Sequence, residues 1–168
     1  TFIKKHHIKR LYVRFFDVVR DADGEIMPNA TLQFDTTDEN MTTEEKEKES
    51  LMPKGMEIIP VVYIVNNCFK AKTKTNSISS DKSGGKSSDE TPRQLADKIL
   101  NRILQMNEAN DIENVKEIQI DCDWTASTQE AYFEFLHILK EKAKDKKMQL
   151  SATIRLHQLS MTPPPVDR

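Results

Sequence analysis

The chain alternates apolar and polar positions with two different periods, and the switch between them lays out its elements. Residues 9 to 19, "KRLYVRFFDVV", are dense in β-branched and aromatic side chains and stop at "RDADGE", whose Asp-Gly pair marks a turn. A short extended piece is expected at "TLQF", 31 to 34. The next strand is expected over 56 to 69, "MEIIPVVYIVNNCF", apolar nearly throughout like a strand covered on both faces. Pro60 has no N–H for a ladder, so pairing there starts late or meets an edge.

The period then lengthens. Thr91, Pro92 and Gln94 make a capping-box start, and Leu95, Ile99 and Ile103, with Leu100 and Leu104, give the stripe of an amphipathic helix to about residue 107. "VKEIQIDCDW" returns to alternation and reads as a strand. Ser127 and Glu130, at capping-box spacing, open a second long helix whose Tyr132, Phe135, Leu136, Leu139 and Ala143 share one face. "KDKK" closes it, and "MQLSATIRLHQL", 148 to 159, is expected to be the last strand.

Strands alternating with helices of this length imply parallel pairing through crossovers, an α/β class. Four parallel strands are too few for a closed barrel of eight, so an open sheet and a piece of a barrel both fit. The whole chain, 1 to 168, reads as one domain, with polar, flexible insertions at 35 to 54 and 70 to 90.

Composition narrows the partners. With 25 basic and 27 acidic residues the net charge is -2, which gives no electrostatic reason to expect nucleic acid. No run approaches the roughly 18 apolar residues of a membrane span. Cys68 and Cys122 both lie in apolar runs and read as small buried thiols, not as a disulfide framework or a zinc site. The first residue is Thr, which suggests a processed chain or a fragment. No cofactor motif emerges: "SGGKSS" lacks the leading glycine and the preceding strand of a phosphate loop, and "DADGE" lacks the rest of a calcium loop. His6 and His7, beside lysines, read as solvated.

Strand parity isolates the candidate chemistry. In the third long strand Ile118, Ile120 and Cys122 face one way, while Gln119, Asp121 and Asp123 face the other. In the last, Ala152, Ile154 and Leu156 oppose Thr153, Arg155 and His157. Helices cover the apolar side, so the polar side looks elsewhere, as into the mouth of a parallel barrel. Arg14 and either Asn66 or Asn67 would stand at the same rim. Asp121 and Asp123, two apart on a strand, sit roughly 6.5 Å apart at Cα. Acids that close push their proton affinities apart, which is what glycoside hydrolysis requires, and Trp124 would either offer a sugar ring an apolar plate or, as a lone tryptophan more often does, pack under a loop. Two other readings stand beside it: an ion-pair network of Asp121 with Arg155 or Asp123 with His157, and a metal site of Asp121, Asp123 and His157.

With "YVRFFDV", "EIIPVVYIVNN", "IQIDCDWTAST" and "LSATIRLHQ" followed by "PPVDR", the chain resembles a family of uncharacterised bacterial proteins, many named as lipoproteins. That family is similar to glycoside hydrolases in having a TIM-type barrel. The resemblance implies a partial barrel, with the four strands as the second to fifth of eight and unpaired edges open to self-association. It also implies a place in the cell envelope or periplasm and a carbohydrate-binding or carbohydrate-cleaving function. The rival is a non-catalytic envelope or interaction domain. Chitinase-like hydrolases carry D-x-x-D-x-D-x-E on the equivalent strand. Asp121 and Asp123 match the central acids, whereas Ile118 stands at the first position and Thr125 at that of the catalytic glutamate. On this resemblance Asp121 and Asp123 are the catalytic pair, with Arg14, Asn66, Trp124, Arg155 and His157 around the substrate.

Overall fold

The computed structural model describes residues 5–34, 56–70 and 91–160. The insertions expected at 35 to 54 and 70 to 90 lie outside them, Lys70 apart. The strands are β1 (Arg10–Arg20), β2 (Ile26–Asn29), β3 (Glu57–Ile64), β4 (Glu117–Cys122) and β5 (Gln149–Ala152), and the two long helices are α1 (Pro92–Ala109) and α2 (Gln129–Asp145). They form a mixed α/β fold around one five-stranded sheet in the order β2-β1-β3-β4-β5. β1, β3, β4 and β5 are parallel neighbours, and β2 folds back antiparallel on β1. Among the described residues the sheet is open, with β2 and β5 as its edges; there is no barrel closure.

Local chemistry accounts for the elements. Thr91 and Gln94 cap α1 reciprocally, as their spacing predicts. Gly24, at φ 84°, turns β1 into β2, helped by Glu25 N–H donating to Asp21 Oδ1 at 2.8 Å. Pro60 pairs with Val13 on β1, but pairing of β3 with β4 begins only at Val61, one residue after the missing donor. Both helices lie on one face of the sheet, where Val62, Ile64, Ile118, Ile120 and Cys122 meet Leu95, Ile99, Ile103, Tyr132, Phe135 and Leu139 in one core. Cys68 and Cys122 are both buried thiols. No helix among the described residues is long and apolar enough to cross a membrane.

Several expectations are corrected. The extended piece lies at 26 to 29 instead of 31 to 34, because the turn at Asp21 to Gly24 returns the chain at once onto β1; beyond it Leu32 N–H donates to the Phe15 carbonyl. β3 stops at Ile64 and gives way to a 3-10 turn, Asn66–Phe69. The start of α2 rests on Thr125 and Thr128, since Thr125 N–H donates to Thr128 Oγ1 at 3.0 Å, while Glu130 is exposed.

The last strand is four residues long, not twelve. Gln158, buried in a 3-10 turn (Leu156–Ser160), accepts from Arg155 N–H and donates to the carbonyls of Cys122 and Trp124. Its amide thus takes the acceptors a longer β5 would have used, and Ile154 and Leu156 are left exposed instead of packing with Ala152 as a strand face.

Candidate functional site

The helix-free face of the sheet carries rows of side chains set by register. One row runs Arg14, Val61, Gln119, Ser151; the next runs Asp17, Tyr63, Asp121. A bulge between Arg14 and Phe16 flips the parity of β1, which is why Arg14 and Asp17, three apart, share this face. Below these rows the face is closed by its own side chains. Glu117, 8% exposed, accepts from Ser151 Oγ at 2.7 Å and from Tyr12 at 3.5 Å, with Arg10 bridging it to Glu57. The open half therefore lies toward the carboxyl ends of the parallel strands.

Asp121 and Asp123 stand there, as their parity predicts. Thr153 Oγ1 donates to Asp121 Oδ1 at 2.6 Å. Asp123 receives two partners: its Oδ1 pairs with the Arg155 guanidinium, and its Oδ2 accepts from the Tyr63 hydroxyl at 3.4 Å. Burial raises the Tyr63 phenol above its ordinary value, and the negative charge of Asp123 adds to the shift. Arg14 lies over the Tyr63 ring, 4.5 Å from its centroid, and donates to Asp17 at 2.6 Å; that bond, ahead of any other influence, raises the Arg14 guanidinium. Arg14, Tyr63, Asp121, Asp123, Thr153 and Arg155 form one connected polar surface with an aromatic ring at its centre.

The other expected site residues lie apart from it. Trp124 is 3% exposed, stacked on Tyr132 at 6.2 Å and edge-on to Phe133, so it is core and no plate for a ligand. It follows Asp123 just beyond β4, where the side chain turns under the start of α2. His157 stands on the 3-10 turn, because the strand that would have aimed it at Asp123 ends at Ala152; among the described residues its ring bonds to neither acid. Asn66 joins two loops instead of facing the acids, donating to Thr125 Oγ1 at 3.3 Å and accepting from Thr128 Oγ1 at 2.5 Å. Thr125, where the resemblance calls for a glutamate, is thereby tied into a hydroxyl and amide knot.

No three His, Cys, Asp or Glu side chains are grouped to hold a metal ion among the described residues, so the metal site of Asp121, Asp123 and His157 does not form. Tyr63 and Gln158 are the residues that sequence reasoning passed over. Tyr63 falls in step with Ile59 and Val61, a parity hidden because β3 is apolar on both faces. Gln158 had no local signal at all.

No family model, no curated protein and no solved structure matches the chain.

Proposed function

We propose that this open face binds carbohydrate and does not cleave it. One observation carries the reading: among the described residues every side-chain hydrogen bond and ion pair at Asp121 and Asp123 runs into the carboxylates, from Thr153, Tyr63 and Arg155. A hydrolase needs one group aimed at the glycosidic oxygen with a proton to give, and Thr125 stands where the resemblance would put it. What the face offers instead is alternating acceptors and donors around the Tyr63 ring, the pattern that suits a ligand dense in hydroxyls. Its position at the carboxyl ends of parallel strands is where α/β proteins bind ligands. The neighbour order β1-β3-β4-β5 is also that of consecutive barrel strands, and the reading takes them as the second to fifth of eight.

The test is retention on a panel of immobilised glycans together with an assay for released reducing sugar. The reading expects at least one glycan to be retained, loss of retention in Asp121→Asn and Asp123→Asn, and no sugar release. Release that disappears in either variant would show hydrolysis and overturn the non-catalytic reading. Retention of no glycan would overturn binding altogether.

A rival reading has its own support, since the same bonds tie β3, β4 and the residues after β5 together: the network is structural and the face binds nothing. It expects the two Asn substitutions to lower the melting temperature strongly, with no ligand lost.

A further inference from the structure

On the opposite side of the sheet, at its β1 and β2 end, a cavity of about 360 Å³ lies between the hairpin and α1. Phe16, Val18 and Ile26 line it from the hairpin, and Leu95 and Ile99 from the helix. Lys98 and Arg102, one turn apart on α1, also border it. The volume falls within the roughly 300 to 1,000 Å³ of small-molecule sites, which combine apolar walls with a few placed polar groups that fix orientation.

Arg102 decides the ligand chemistry. Its Nε is buried and, among the described residues, has no hydrogen-bond partner. A buried N–H without an acceptor is costly and rare, and a guanidinium is shaped to take a carboxylate with two parallel bonds. An apolar wall beside such a group complements an aliphatic chain ending in a negative charge. A neutral chain would bring the Arg102 guanidinium no charged acceptor, and a cationic one would meet two like charges.

We propose that this cavity binds a medium-chain aliphatic carboxylate, its chain against Phe16, Val18, Ile26, Leu95 and Ile99 and its carboxylate on Arg102, with Lys98 adding positive charge. The site is independent of the acid pair on the other face.

Titration calorimetry of the full chain with decanoate, decanol and decyltrimethylammonium tests it. Saturable binding of one decanoate is expected, with decanol weaker by roughly tenfold or more, as loss of a charge-assisted hydrogen bond implies, and no binding of the cation. Arg102→Gln should remove the preference for decanoate over decanol, and Met27→Trp, at an exposed lining position, should weaken both by obstructing the cavity. Circular dichroism should match the parent in each variant. Absence of saturable binding overturns the proposal. So does equal affinity for decanoate and decanol, or a preference that survives Arg102→Gln.

Discussion

The hydroxyl of Tyr63, on β3, donates to Oδ2 of Asp123, just beyond the end of β4, across 60 positions of sequence. The phenol is raised by burial first and by the Asp123 charge second. Removing the charge while keeping the shape should therefore return only part of the shift. In Asp123→Asn, ultraviolet titration should find the Tyr63 phenol lower than in the parent and still above its ordinary value. Tyr63→Phe identifies its share of the signal from three tyrosines. An unchanged Tyr63 titration in Asp123→Asn would dismiss the coupling.

The ion pair of Arg155 with Asp123 separates binding from scaffolding. The side chains are 55% and 34% exposed, and pairs this open to water contribute about 0.2 to 1 kcal/mol. Arg155→Gln should thus cost under about 1 kcal/mol in urea unfolding while lowering glycan retention. A loss of about 3 kcal/mol or more, the range for breaking a buried pair, would favour the structural network instead.

Trp124 is the chain's only tryptophan, so its fluorescence reports one place. Buried against Tyr132 and Phe133, it should resist iodide quenching until the protein unfolds and stay unchanged when a glycan binds. Trp124→Ala should cost about 3 to 5 kcal/mol, as truncation of a packed indole does. Ready quenching in the native protein would mean that the ring is not in the core.

What the sequence made legible was local, and what it concealed was long-range. Alternation placed Ile118, Ile120 and Cys122 inward and Asp121 and Asp123 outward, because a strand fixes parity from neighbour to neighbour. The box at Thr91 and Gln94 was readable for the same reason, since both partners lie within one turn. The end of β5 was not, because it depends on Gln158 reaching carbonyls 34 and 36 residues away. Nor was the shared face of Arg14 and Asp17, which needs a bulge at one of two adjacent phenylalanines. His157 was misplaced because strict alternation was carried past residue 152, where the strand had already ended, whereas Trp124 has the inward parity of Ile118, Ile120 and Cys122 and packs on that side.

Thr128 supports the loop beneath the acids. Its hydroxyl, on a residue 1% exposed, accepts from Thr125 N–H and donates to Asn66. Thr128→Val keeps the volume and removes both bonds, leaving polar groups of Thr125 and Asn66 without that partner. A loss of about 1 to 3 kcal/mol is expected, and Thr128→Ser should recover most of it. A valine variant within about 0.5 kcal/mol of the parent would show that the knot contributes nothing to stability.

Alkali should unfold the protein in two stages that name two buried groups. Burial, reinforced by the Asp123 charge, pushes the Cys122 thiol from 9.0 up to about 12, and burial likewise raises the Tyr132 phenol well above 10.0. In each case the folded state holds its proton more tightly than the unfolded state. Above the unfolded value the unfolded chain binds fewer protons, so the free energy of unfolding falls as pH rises. The stability conferred by the neutral thiol is complete below about pH 9 and is lost towards pH 12. The slope approaches about 1.4 kcal/mol per pH unit for each such group. Urea midpoints should hold nearly level to pH 9, decline between 9 and 10 through Cys122, and decline more steeply above 10 as Tyr132 joins, together with the raised phenol of Tyr63. Cys122→Ala lowers stability at every pH by losing a packed sulfur, but it should flatten the interval between 9 and 10. The parental slope persisting there in Cys122→Ala would rule out the thiol as the source.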